Sequence, residues 1–176
     1  GRVLMSYATA ALATYANMLG TLDTLVAKAE SHEKGEALLG ARLAEDMFPL
    51  ATQLRFVCNM PGETLGRMTG LAFASSDTDP ASLAEAHERI ADAKALIAAS
   101  DPAAWPASDA AVEFTLPNGM TFAMQAHEYC RDWAIPQLYF HMTAAYAILR
   151  MEGLPIGKAE FVGYMFKYMK QPTAAA

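Results

Sequence analysis

Long apolar runs are missing from this chain. Although 53% of its 176 residues are hydrophobic, no uninterrupted stretch approaches the ~20 residues that a membrane-spanning helix requires. Cysteine is scarce as well. Cys58 and Cys130 stand far apart inside helical patterns, not in a Cys-x-x-Cys pair, which argues against a zinc ribbon or a disulfide scaffold and for buried, inert thiols. Basic clusters are also lacking: 13 Lys and Arg stand against 19 Asp and Glu, for a net charge of −6, and no run of cations could follow a phosphate backbone. Nucleic acid and membrane are therefore set aside as partners. No charged segment followed by an apolar stretch and a cleavage site opens the chain, which is read as cytoplasmic. Gly1 to Leu4 precede Met5 and are read as a cloning remnant, and residues 171–176 as a frayed tail. Residues 5–170 then form one domain, long enough to bury a sizeable core.

What is present is helical periodicity. Tyr15, Met18, Leu19, Leu22, Leu25, Val26 and Ala29 recur every three or four residues and predict a first helix over Tyr7 to Ala29. His32, in the polar run that follows, is read as a surface residue. A short helical piece is expected around Ala37 to Ala44. The second long helix is expected to begin at an Asp46 cap, with Pro49 in its first turn, and to end near Gly70 with a kink or break at Pro61-Gly62. Ser82 and Glu85, in capping-box spacing, open a third helix, which carries Leu83, Ile90, Ala93 and Ile97 inward with His87 at its flank. The period then changes to two. Val112, Phe114 and Leu116, a Pro117-Asn118-Gly119 turn, and Met120, Phe122 and Met124 predict a β-hairpin whose apolar face must lie on the helices, because a lone hairpin is marginal in water. The last long helix spans His127 to Glu152, with a kink or restart at Pro136, and ends at Gly153 and Pro155. Ala159 to Lys170 reads as a short amphipathic helix. The fold class is all-α, an antiparallel four-helix bundle with a small β-hairpin before the last long helix.

Candidate chemistry sits on that last helix. Its inward stripe reads Cys130, Ala134, Gln137, His141, Ala144 and Ile148. Gln137 and His141, four apart, project from one face and can converge on one point, the spacing also used by helical metal ligands. Trp133, Tyr139 and Tyr146 are placed to wall a pocket there, or to pack the core or a subunit contact.

The stretch from Asp46 to Leu50, the Tyr139-Phe140-His141 helix through Arg150, and the Gly153-Leu154-Pro155-Ile156-Gly157-Lys158 exit together resemble an uncharacterised branch of the DinB/YfiT-like superfamily. The resemblance runs over nearly the whole chain. It implies a DinB-like bundle and a divalent-metal site, zinc or nickel, held by three histidines, in a superfamily that includes metal-dependent thiol transferases and isomerases. His141 falls where the second histidine of the last helix is expected, Gln137 where the first is, and Gln53 at the position on the second helix. Two of three ligands are thus neutral amides, which borderline cations take less readily than imidazole.

Two functions follow as expectations. One is a small-molecule pocket inside the bundle, possible as an enzyme site, lined by Gln53, Gln137, His141, Trp133, Tyr139 and Tyr146. In it His141 acts as acid/base or as the surviving metal ligand. The other is a non-catalytic homodimer whose buried polar cluster is structural. Membrane-surface attachment through Phe161 to Met169 ranks below both.

Overall fold

The computed structural model describes residues 5–170. The two stretches read above as a cloning remnant and a frayed tail lie outside them. The described chain is mostly helical and carries one two-stranded antiparallel sheet. Helix α1 (Tyr7–Glu30) starts where the Ser6 hydroxyl accepts from Thr9 N–H, a side-chain cap that satisfies one of the helix's free donors. Its inward stripe from Tyr15 to Ala29 is almost fully buried. The piece expected over Ala37 to Ala44 is a 3-10 helix over Gly35–Gly40.

Helix α2 (Leu50–Thr69) departs from expectation at both its start and its middle. Asp46 does not cap it. Residues 41–49 close on themselves instead, through Leu50 N–H to Ala41 O at 2.9 Å and Arg42 Nη1 to the carbonyls of Glu45 and Met47, and the extended Pro49 becomes the boundary residue. Nor does Pro61-Gly62 break the helix, which runs through both. Gly62 is needed there for a different reason: a Cβ on it would clash with the Phe73 ring. Phe73 belongs to the extended strap that follows the left-handed Gly70 cap and runs back along α2. Asn59 pins that strap by giving Nδ2–H to Ser76 O at 2.9 Å and accepting Ser76 N–H at 3.0 Å. Thr52 Oγ1 donates to Asp79 Oδ2 at 2.7 Å, and Arg55 Nε lies 2.9 Å from Asp79 Oδ1.

Helix α3 (Leu83–Ala99) is capped by the Ser82 hydroxyl, while the Glu85 carboxylate takes the N–H of Ala81 at 2.8 Å. Strands β1 (Ala111–Thr115) and β2 (Thr121–Gln125) form the expected hairpin, with Val112 opposite Met124 and Phe114 opposite Phe122. The turn between them uses Gly119 at φ 87°, a left-handed conformation that costs glycine little. The last long helix is continuous but not uniform. A turn of α-helix, α4 (Ala126–Glu128), leads into a π-helical segment, Tyr129–Ala134, and then into α5 (Ile135–Met151). The widened turn sits immediately before Pro136, whose missing N–H cannot continue α-helical bonding to residue 132; Ile135 N–H bonds to Cys130 O, five residues back. What reads in sequence as a kink is therefore a π-bulge.

Helix α1 packs against α3, α3 against α2, α2 against α5 and α5 against α1, around one buried apolar cluster. The hairpin lies on this assembly: Phe114 meets Tyr129 and Trp133 edge-on at 5.6 and 4.9 Å. After Gly153 (φ 97°) the chain forms α6 (Lys158–Phe161) and a 3-10 turn over Gly163–Tyr168, two short pieces in place of one amphipathic helix. The break falls where Thr21 Oγ1 donates to Phe161 O at 2.8 Å. No helix among the described residues is long and apolar enough to cross a membrane.

The Gly62 contact gives a direct test of the strap. Gly62→Ala should lower the melting temperature, because overpacking costs about 1–3 kcal/mol against at most ~1 kcal/mol gained in helix propensity. Adding Phe73→Ala should remove the clash. A Gly62→Ala protein that melts higher than the wild type contradicts this packing.

Candidate functional site

His141 lies in the first half of α5, where the turn after Pro136 aims it at the first turn of α2. Gln53 waits there, almost fully buried. Its amide is oriented by elimination: the Phe48 carbonyl can only accept, and takes Gln53 Nε2–H at 3.3 Å. That turns Oε1 toward the histidine, 2.7 Å from Nδ1. Because Oε1 also only accepts, Nδ1 must carry the proton and donate it, leaving the Nε2 lone pair open. Nε2 has no protein hydrogen-bond partner among the described residues, and the ring is half-buried. Burial pushes the His141 pKa below its ordinary value, so the neutral ring is the resting form near pH 7.

Aromatic rings surround this imidazole. Phe56 is tilted against it at 4.9 Å between centroids and Phe140 stands edge-on at 5.2 Å, while Phe48 meets Phe56 edge-on at 5.3 Å. None of these three phenylalanines was singled out from sequence as part of the site. Phe56 carried a signal: it lies three residues after Gln53 on α2.

The other expected pocket residues are spread along the helix. Gln137 is half-buried one turn before His141, with no hydrogen bond to Gln53 or His141. Trp133 is two turns away, roughly 12 Å along the axis at 1.5 Å per residue, and packs with Phe114 and Phe122 under the hairpin. Tyr139 is partly exposed, and the desolvation of its covered part together with a nearby Tyr164 raises its pKa. Tyr146 faces Phe161, centroids 5.9 Å apart. Five clefts of about 220 to about 350 Å³ open elsewhere among the described residues, and Gln53, Gln137 and His141 line none of these five.

A family model for a domain of unknown function, DUF1993, matches residues 7–162. The chain belongs to the DUF1993 family. A crystal structure of a DinB family member protein from Shewanella denitrificans is similar to it, with a TM-score of 0.76 and 30% identity over 92% of this chain and 93% of that one. The comparison with curated proteins finds no match. This chain therefore belongs to a DinB-like branch of unknown function, as the Tyr-Phe-His helix and its exit suggested.

The residues present do not fit the three-imidazole metal site that the resemblance implies. One of the three positions is an imidazole, one amide oxygen is already engaged by Nδ1–H, and the other amide is neutral. Among the described residues no group of three His, Cys, Asp or Glu gathers that could hold a metal ion.

A second polar cluster escaped the sequence. Tyr15 Oη and Thr64 Oγ1 are 2.6 Å apart in the core, and Arg67 Nη1 donates to Tyr129 Oη at 2.9 Å while its guanidinium lies 4.1 Å from the Phe114 ring centroid. Thr64 approaches both tyrosines, so one threonine links α1, α2 and the π-helical segment. In sequence these residues look like an apolar stripe, since tyrosine and threonine pass as core. His87, read as a flank residue, bridges Asp23 Oδ1 at 2.7 Å and Glu30 Oε2 at 3.1 Å on α1. Both thiols are free and buried, with Cys58 pushed up to about 12 and Cys130 to about 11 by burial, as inert thiols should be.

The lowered His141 pKa fixes the sign of one pH effect. Between its folded value and the ordinary value near 6.5, the unfolded chain binds more protons than the native one, so stability falls as the pH drops through that window. Denaturant melts at pH 8 and pH 5 should show this loss in the wild type and a smaller one in His141→Ala. An equal loss in both proteins would remove His141 from the account.

Proposed function

We propose that the Gln53–His141 pair is a metal-free site at which a small ligand is recognised and can exchange a proton with Nε2. The observation that carries this reading is the oriented amide: by taking Nδ1–H, Gln53 holds one tautomer and leaves a single free lone pair at the protein's aromatic rim. The suited ligand is a small planar or apolar molecule bearing an acidic O–H or N–H, its body against Phe48, Phe56 and Phe140 and its proton toward Nε2. Gln137, one turn away on the same face, is placed to bind a second polar group. In this reading the four long helices form an antiparallel bundle of the DinB-like kind, and His141 is the acid/base residue if the protein is an enzyme. The free thiols Cys58 and Cys130 suit a reducing, cytoplasmic setting.

Protein purified without a histidine tag should contain no stoichiometric zinc or nickel, and chelator should leave its melting temperature unchanged. A screen of small phenols, azoles and aromatic acids by chemical-shift perturbation should give ligands that move Phe56 and His141. His141→Ala should weaken them at least about tenfold, roughly the loss of one hydrogen bond. Gln53→Leu, which frees the tautomer, should weaken them less. Unchanged binding in His141→Ala sinks the reading.

A further inference from the structure

A cleft of about 270 Å³ opens where the first turns of α1 meet α4 and the π-helical segment. Tyr7, Ala10 and Ala11 line it from α1, and His127, Arg131 and Ile135 line it from the other side. Spacings of three, four and eight residues put each set along one helix face. Protein interiors rarely leave such space unfilled, yet the α1 side is trimmed here to the methyl groups of Ala10 and Ala11. The π-turn beside it is also a feature that recurs at functional sites.

One loop orients two of the lining side chains. Tyr7 Oη donates to Pro106 O at 2.7 Å, and His127 Nδ1 lies 2.8 Å from Ser108 O. The same Ser108 carbonyl accepts the His127 backbone N–H at 2.9 Å. A carbonyl can only accept, so Nδ1 carries the proton, and in the neutral ring Nε2 keeps a bare lone pair. That atom has no protein hydrogen-bond partner among the described residues. On Arg131, Nε and Nη2 give their protons to Asp132 at 2.7 and 2.6 Å, while Nη1 has no such partner among the described residues. The lining residues thus hold one open acceptor and one open donor beside an apolar wall.

Charge then selects the class of ligand. Arg131 is paired with Asp132, and Glu128 lies close enough to act on it. Two carboxylates stand there against one guanidinium, so an anionic ligand would meet repulsion. A neutral hydroxyl meets none, and can donate to Nε2 while its oxygen accepts from Nη1. Volume limits the rest of the molecule. An apolar cavity of ~150 Å³ is enough to hold benzene, so this cleft admits one aromatic ring with a short substituent.

We propose that the cleft is a second small-molecule site, which takes a neutral hydroxylated aromatic ring of the phenol or benzyl alcohol class. The hydroxyl is held by His127 Nε2 and Arg131 Nη1, and the ring lies against Ala10, Ala11 and Ile135. The site stands independently of the Gln53–His141 pair, because His127 precedes His141 by roughly 20 Å of helix at 1.5 Å per residue.

Titration of the intact, isotope-labelled chain with phenol, toluene and benzoate tests this by chemical-shift perturbation. Phenol should move the Ala10, Ala11 and Ile135 methyl signals and the His127 ring, and approach saturation by about 10 mM, as suits so small a ligand. Toluene, which lacks the hydroxyl, and benzoate, which carries a charge, should each bind at least about fivefold more weakly. His127→Ala should weaken phenol at least about tenfold. Ala10→Leu should abolish binding by filling the cleft; Ala10 is exposed on α1 and leucine is a good helix former, so the melting curve should hold. His141→Ala should leave the phenol shifts at the cleft unchanged. Phenol that moves no cleft signal overturns the proposal, even if it moves Phe56 and His141. Toluene binding as tightly as phenol, or phenol binding untouched by Ala10→Leu and His127→Ala, overturns it as well.

Discussion

The hydrogen bond between Gln53 and His141 is the contact on which the rest of the site depends. It joins the first turn of α2 to α5, and its direction follows from two groups that can only accept, the Phe48 carbonyl and the Gln53 amide oxygen. Once those are fixed, the tautomer of His141 is fixed, and so is the ring atom left without a protein partner. Burial then keeps the ring neutral. A histidine ligated through Nε2 to a metal is commonly held the same way, by an acceptor on Nδ1. Here that arrangement is retained while the other two ligand positions hold amides, one of them now the acceptor itself. On the proposed reading the pair acts as an oriented base and not as the remnant of a metal centre.

The scaffold supplies the positions by means unrelated to the site. The π-helical segment before Pro136 rotates everything after it relative to an unbroken helix, so that His141 turns toward α2 while Trp133 and Tyr129 stay under the hairpin. The strap fixed by Phe73 on Gly62 and by Asn59 on Ser76 holds the outer side of α2. The Tyr15–Thr64–Tyr129 cluster ties α1 to the same two elements from within.

Much of this was legible in sequence because periodicity and punctuation are local. The helix stripes, the Ser82 cap, the Gly153 ending and the two-residue alternation around Asn118-Gly119 each state their structure within a few residues. The pairing of Gln53 with His141 came from resemblance, not from a local signal, since 88 residues separate them. What could not be read depends on tertiary contact. Asp46 has the chemistry of a cap, but residues 41–49 satisfy their polar groups among themselves and leave Pro49 as the boundary. Pro61-Gly62 reads as a break, although the glycine is there for a ring that arrives from the strap. Phe48, Phe56 and Phe140 look like ordinary apolar residues until the fold lays their rings around one imidazole.

The central claim is the protonation state of a single ring, and long-range nitrogen–proton correlation spectroscopy of the histidines reads it directly. At neutral pH the account predicts that His141 is neutral, with its proton on Nδ1 and a bare Nε2, and that chelator changes neither signal. A proton on Nε2, a doubly protonated ring, or a Nε2 resonance moved by removal of a metal would contradict it.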